Sequence, residues 1–422
     1  MSVNLKVKMP KLTISSIGMA LAVIFIMLLS LPYFSYSGQG IKISWIVYLL
    51  WLLTVFTGNS LALKKTVFEL RLRRFEITFL FLWLMVVMFN ATLERGNTWD
   101  LHLIIMITMC MVISMTLYYA AQRNGSYETF VKIILLVFGI EVIRSLPHLW
   151  STPSLARIIT GGEANPQEMM SAGKAGVGAY GYYTGLAIVL PSVITITITS
   201  RGITRILLCF FIAAITLAIS ISTFMGAIFL MLLGFCCLAF FHIIYGKLKQ
   251  KIFILYGVVF VLFFVAWITK LDDIEQVMYV ANKIERQFSS VTADGIIGGD
   301  ETGRSDLWLA SMNTFLNYPL VGIGATTNRE NPDLGVRVGG HSSWLDQLAE
   351  YGIVGFGCYL FFFSLAIKRI VIAFRNEKSL NNAKICYLGQ LISIALFVVG
   401  GIYNPVVIII EVFVLFYILG IK

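Results

Sequence analysis

Charge is the scarcest property of this sequence. Asp, Glu, Lys and Arg make up only 13% of its 422 residues, roughly half the share of a soluble domain. Hydrophobic residues account for 58%, and together these figures exclude an ordinary soluble fold. The six cysteines (Cys110, Cys209, Cys236, Cys237, Cys358 and Cys386) all fall inside apolar runs. There they act as small apolar side chains, so neither a disulfide framework nor a thiolate metal site is indicated. The carboxylates Asp294, Asp300, Glu301 and Asp306 lack the spacing of a calcium or magnesium loop. No metal and no cofactor are expected. Internal repeats and low-complexity tracts are missing as well, and only four histidines occur in the whole chain.

What the chain has instead is apolar runs of membrane-spanning length, about 17 residues or more. They cover 15–35, 43–61, 76–92, 101–121, 130–147, 176–200, 203–222, 225–245, 252–269, 343–367, 385–401 and 403–420. The fold class is therefore an all-α polytopic membrane protein with about twelve transmembrane helices. Lysine and arginine set the orientation. With the N-terminus inside, the inner segments hold Lys6, Lys8, Lys11, Lys64, Lys65, Arg71, Arg73 and Arg74, and later Lys247, Lys249, Lys251, Lys368, Arg369, Arg375, Lys378 and Lys384. The net charge of +10 is then a topology signal and not a nucleic-acid footprint. Both termini are expected in the cytoplasm, with no soluble domain at either end. The first run is expected to stay as a span, because no small-x-small cleavage site follows it.

Three regions follow from this plan: spans over 1–269, an extracytoplasmic loop over 270–342, and spans over 343–422. A smaller outer loop, about 148–175, carries glycines and an Asn-Pro that predict irregular chain with short helical turns. In the large loop, Ile274, Val277, Met278, Ala281, Ile284 and Phe288 recur at helical spacing and predict a surface-lying amphipathic helix. A second helix is predicted in "SDLWLASMNTFLNYP", capped by Ser305 and ended by Asn317 to Pro319.

The large loop ends in "GGHSSWLDQLAEYGIVG". Ser343-x-x-Asp346 reads as a capping box, which places His341 at the mouth of the next span. The positive end of a helix disfavours imidazolium, so a neutral, proton-accepting ring is expected there. The N–H groups of the first turn suit a phosphate oxygen. A histidine that merely caps a helix at the interface fits the same spacing.

His341-Ser342, nine residues, then Gly352-Ile-Val-Gly355 resembles the histidine motif of the O-antigen ligase and polysaccharide polymerase superfamily, H-[NSQ]-x9-G-x-x-G. Upstream, "TGRSDLWLASMNTFLNYPLVGIG" (302–324) is similar to the same family's G-R-x-x-x-W…P-hydrophobic-x-G-x-G segment. The resemblance implies a glycosyltransferase whose donor and acceptor are glycans on undecaprenyl diphosphate, acting outside the bacterial plasma (inner) membrane. It implies His341 as the base for the acceptor hydroxyl and Arg304 as the cation that clamps the diphosphate, since a guanidinium offers two parallel charge-assisted bonds. Such a clamp can replace a divalent metal.

One departure is visible. Many relatives carry Ser-Arg-Gly near the outer end of a middle helix, where this chain has Phe224 and Met225. A second cation would have to come from Arg144, Arg157, Lys174, Arg329 or Arg337, with Arg157 favoured for its place in the smaller outer loop. Arg157, Arg337, Ser342, Glu350 and Tyr183 are the substrate-binding candidates. Glu350 and Glu411 are ionisable groups within spans, which face a cavity or a partner, or are buried in hydrogen-bonded packing. Tyr180, Tyr182 and Tyr183 suit sugar stacking, and an interfacial aromatic belt equally.

Within the superfamily, "AGVGAYGYYTGLAIVLP" (175–191) resembles a helix opening of capsule and exopolysaccharide polymerases. A repeat-unit polymerase is therefore expected, working beside a flippase and a chain-length regulator. The alternatives are a ligase that moves finished glycan to lipid A core, and a flippase for the same lipid-linked sugars. A transporter predicts two similar halves, whereas this chain gathers its polar residues in one asymmetric loop.

Overall fold

The computed structural model describes residues 14–32, 39–58, 74–93, 127–152, 155–161, 166–222, 224–245, 304–323, 342–377 and 382–403. Among these residues the chain is helical and contains no strand. The expected spans 101–121 and 252–269, nearly all of 403–420, and the amphipathic helix expected over 274–288 lie outside them.

Twelve helices occur among the described residues: α1 (Ile14–Ser30), α2 (Gln39–Gly58), α3 (Arg74–Leu93), α4 (Tyr127–Ser151), α5 (Leu155–Gly161), α6 (Pro166–Lys174), α7 (Tyr180–Thr199), α8 (Gly202–Ile221), α9 (Met225–Tyr245), α10 (Arg304–Asn317), α11 (Ser343–Asn376) and α12 (Asn382–Tyr403). Five segments are long and apolar enough to cross a membrane: Val131–Ser151, Tyr180–Thr199, Gly202–Ile221, Ser343–Asn376 and Asn382–Ile402. Large apolar side chains stand exposed around the bundle, among them Leu49, Phe81, Ile140, Phe210, Phe240 and Phe361. In water such a surface would drive association; in a bilayer it meets its own kind. This is a multi-pass membrane protein.

Helix α7 forms the centre, enclosed by α8, α9 and α12. Its "ITITIT" run alternates like a strand, yet it is helical. In hydrocarbon a segment must satisfy its own backbone, which the helix does. The hydroxyls of Thr195 and Thr197 then bond back to the carbonyls of Ser192 and Val193, at 2.9 and 2.8 Å. Small residues bring α12 close. Ser192 and Ser393 pair through their hydroxyls at 2.9 Å, and a β-carbon at Gly389 would lie 2.9 Å from the Pro191 carbonyl oxygen. Helix α12 packs on α11 through Phe363 and Phe397, stacked at 5.4 Å.

Helix α11 packs in turn on α3, antiparallel to it. Phe79 stacks on Phe361 at 4.9 Å, Trp83 lies 5.4 Å from Tyr359, and the Trp83 indole donates to Gln347 Oε1 at 3.2 Å. At the far end Arg369 reaches the buried Glu76 carboxylate at 3.4 Å. Helix α10 lies against the first half of α11.

Several helix boundaries differ from expectation, α4 running on to Ser151 and α11 to Asn376 among them, and two of the differences are instructive. The span expected from residue 176 begins at Tyr180, because α6 closes first with a Schellman turn. The N–H of Val177 reaches back to Ala172 O at 2.9 Å, and Gly176 adopts φ +77°. Helix α10 begins at Arg304, so Ser305 sits inside its first turn and is not its N-cap. Its end at Asn317 is as expected.

Candidate functional site: a joint between two motif segments

Helix α11 opens on Ser342, whose extended backbone (φ −157°, ψ 114°) ends the loop and whose hydroxyl accepts from Leu345 N at 3.5 Å. The cap is therefore Ser342 and not the expected Ser343. Capping needs a non-helical residue, and Ser343 is already helical. The reciprocal bond is also shifted by one residue, with the N–H of Ser342 donating to Asp346 Oδ2 at 3.4 Å. The other oxygen of this buried carboxylate accepts from the Ser311 hydroxyl of α10 at 3.3 Å. Ser342 Oγ also donates to Gly401 O at 3.3 Å, tying the start of α11 to α12. One carboxylate thus joins the residue after His341 to a side chain two turns beyond Arg304.

Ten residues into α11 the helix breaks. Gly352 has φ +61° and ψ −170°, a region essentially reserved for glycine. An unbroken helix would bond Ile353 N to Ala349 O and Val354 N to Glu350 O. Here those four groups find other partners. Ile353 N donates to Pro319 O at 2.8 Å and Val354 N to Leu320 O at 3.1 Å. Ala349 O accepts from Ile323 N at 3.1 Å, and Glu350 O from the side-chain amide of Asn90, at 3.1 Å. The turn that follows α10 has been inserted into the gap in α11.

Insertion requires backbone to meet backbone. A β-carbon at Gly352 would lie 2.6 Å from Val321 N and closer still to the Leu320 carbonyl. A β-carbon at Gly322 (φ +69°) would lie 2.5 Å from Tyr351 N and overlap the Glu350 carbonyl. The two glycines interlock reciprocally. Gly355, one turn on, faces α3, where a β-carbon would lie 3.1 Å from Val86 Cγ1.

Residues 186–360 match the family model described as O-antigen ligase. The match starts inside α7, ends inside α11 and takes in both segments of the joint. Over this stretch the chain is similar to the O-antigen ligase and polysaccharide polymerase superfamily. No curated protein matches it. The similarity supports a role in membrane polysaccharide assembly or ligation, and the joint gives the two motif segments a physical meaning. Gly322, from the segment that opens with Arg304, and Gly352, from the segment that opens with His341, are the two halves of one lock.

The individual site residues fall unevenly. His341 and Arg337 lie outside the described residues, as do Arg329 and Glu411. Arg304 is the first residue of α10 and Arg157 sits in α5; only their backbones are described. Ser342 is buried, with its hydroxyl used in capping. Glu350 is half-buried in the last turn before the break, with its carbonyl held by Asn90. Tyr183 is fully buried against Phe224, and its hydroxyl accepts from Gly178 N at 3.4 Å. Its ring presents no face to solvent. Phe224, at the position the resemblance would give to serine, packs edge-on against Tyr180 at 5.1 Å. Aromatic core fills that position.

Of the other cations, Arg144 bonds the buried Glu141 carboxylate at 2.8 Å with 42% of its side chain exposed, and Lys174 is exposed at the end of α6. Among the described residues no cluster of His, Cys, Asp or Glu is arranged to hold a metal. Two residues of the joint escaped the sequence reading, Asn90 and Ser311. Asn90 had a signal, as a carboxamide inside the apolar run "FLFLWLMVVMFNATL", where a polar group needs partners. Ser311 had none, because a serine on an amphipathic helix is ordinary.

Proposed function

We propose that this protein is a membrane glycosyltransferase that polymerises undecaprenyl-diphosphate-linked repeat units into O-antigen, capsule or exopolysaccharide on the outer face of the plasma membrane. The supporting observation is the joint. It ties the turn after the Arg304 helix to the break in α11 and, through Asp346, the middle of that helix to the residue following His341. Such rigid coupling is what a two-residue transfer site needs, since a displacement of about 1 Å can cost a hundredfold in rate.

In the proposed reaction the acceptor hydroxyl on one lipid-linked repeat unit attacks the anomeric carbon of the growing chain. The bond from that carbon to the diphosphate breaks, and undecaprenyl diphosphate leaves. His341 takes the hydroxyl proton, its neutral ring being a base poised near working pH. Arg304 holds the departing diphosphate, whose charge grows as the bond breaks. No metal and no cofactor enter. The flippase and chain-length regulator are the proposed partners, supplying repeat units and limiting the product.

The ligase name of the matching family supports a second reading, transfer of finished glycan to lipid A core. One experiment separates the two. Purified protein in lipid vesicles receives lipid-linked repeat units, with and without a lipid A–core acceptor. Extension without the acceptor, abolished by His341→Ala in a protein that still inserts, is the expected result. Product that forms only on the lipid A–core acceptor would establish the ligase. Substrate crossing the bilayer with no new glycosidic bond would make the protein a transporter.

A further inference from the structure

We propose that Asn90 is a positioning residue for this site, a strut that keeps the joint closed and so fixes the spacing between the Arg304 and His341 segments. The inference rests on the function proposed above for its catalytic meaning and on geometry for the strut itself. Asn90 lies near the end of α3 and is 3% exposed. Its amide nitrogen donates to Val321 O at 2.7 Å and to Glu350 O at 3.1 Å. These carbonyls belong to opposite sides of the joint, one in the turn after α10 and one at the break in α11. A carboxamide has two N–H donors on one rigid plane, and here each side takes one.

The bond exchange at the break shows why a side chain is required. Ile353 N, Val354 N and Ala349 O all find backbone partners in the inserted turn. Glu350 O has exchanged its helical partner, Val354 N, which goes to Leu320 O, for the side chain of Asn90. A carbonyl that gives up its helical bond in a membrane-spanning segment needs a replacement donor, and Asn90 supplies one. Its other donor meets Val321 O, a carbonyl of the inserted turn. Helix α3 is independently anchored to α11 by Trp83 to Gln347 and by Arg369 to Glu76. The strut is therefore braced at one end and does not follow the joint if it opens. Asn90 touches neither proposed catalytic group through any described contact; it acts through the joint.

The test uses the full chain in lipid vesicles, with Asn90→Leu (similar size, no donor), Asn90→Asp (same shape, acceptors facing two carbonyls) and Asn90→Ser (one donor kept). Two readouts are taken: the kcat and KM of glycan transfer, and hydrogen exchange in peptides covering Ile323 and Val354. Asn90→Leu is expected to lower kcat by roughly a hundredfold, with KM for the lipid-linked donor changed less than twofold. Exchange should rise at Ile323 and Val354 but not along the rest of α3 and α11. Asn90→Asp should be at least as impaired, and Asn90→Ser should recover part of the loss.

Wild-type kcat in Asn90→Leu would overturn the proposal. So would exchange raised evenly through α3, which marks a packing residue. If the wild-type protein transfers no glycan, the functional reading falls. The exchange measurement then decides the strut alone, with unchanged protection at Ile323 and Val354 in Asn90→Leu overturning it.

Discussion

Replacing Gly352 with alanine is the sharpest perturbation of the joint, because it opposes the break twice. Alanine at φ +61°, ψ −170° is strained by about 1–3 kcal/mol. Alanine also favours a continuous helix over glycine by about 1 kcal/mol. Both terms push α11 toward closing the bonds from Ile353 to Ala349 and from Val354 to Glu350, which ejects the inserted turn. Their sum, about 2–4 kcal/mol, shifts the balance between closed and open joint by about thirty- to a thousandfold. The contact of the new β-carbon with Val321 N at 2.6 Å adds to this. Glycan transfer should fall by at least an order of magnitude while insertion and helix content stay normal, and exchange at Ile323 should rise. Gly357→Ala is the internal control, since a β-carbon there meets nothing within 4 Å. Equal losses in Gly352→Ala and Gly357→Ala, or full activity in the former, would refute the interlock.

Gly322→Ala should resemble Gly352→Ala, and the double variant should cost little more than either, since both open the same joint; additive losses in a double-mutant cycle would mean independent sites. Asp346→Ala removes the acceptor shared by Ser311 and Ser342 N–H and should lower kcat at least tenfold, roughly the effect of losing one charge-assisted tie, with Asp346→Asn milder. A wild-type rate in Asp346→Ala would show that this tie does not set the site. Glu76→Gln should lower thermal stability in detergent by about 1–3 kcal/mol through the loss of its bond with Arg369, without changing transfer. Arg304→Lys should impair transfer severely, because a point charge cannot reproduce two parallel bonds, and wild-type transfer should survive a strong chelator. Loss restored by magnesium would assign the diphosphate to a metal instead.

Much of the architecture was legible because hydrocarbon imposes length and composition on each span. Helix α11 starts at Ser343 as expected, α10 starts two residues before its expected first turn, and α10 ends at Asn317 as its Asn-Tyr-Pro predicts. The break in α11 was not legible. "YGIVGFG" lies inside an apolar run, and glycine costs a helix only about 1 kcal/mol, so nothing local distinguishes a tolerated glycine from a hinge. What decides is a turn some thirty residues upstream. The motif glycines could be noticed by resemblance, but their reciprocal contact could not. Tyr183 shows the opposite failure. An aromatic at a helix opening suits an interface or a sugar, while Phe224, whose position resemblance would give to serine, draws it into the core.

The joint also explains why the signature is split and rich in glycine. A helix break in lipid exposes two donors and two acceptors, and each unpaired group costs several kcal/mol. The break in α11 is stable only if another segment supplies matching groups at hydrogen-bond distance. The turn at Pro319 to Ile323 does so for three of them and Asn90 for the fourth. Close approach of two backbones then demands glycine on each side, which fixes Gly322 and Gly352. None of these residues has chemistry to perform. The glycines, Pro319 and Asn90 build the connection, and the function proposed above leaves the reaction to Arg304 and His341. On that proposal stability and catalysis fall to different letters of the same two motifs, so a variant in one class should spare the other's property only when the joint itself stays shut.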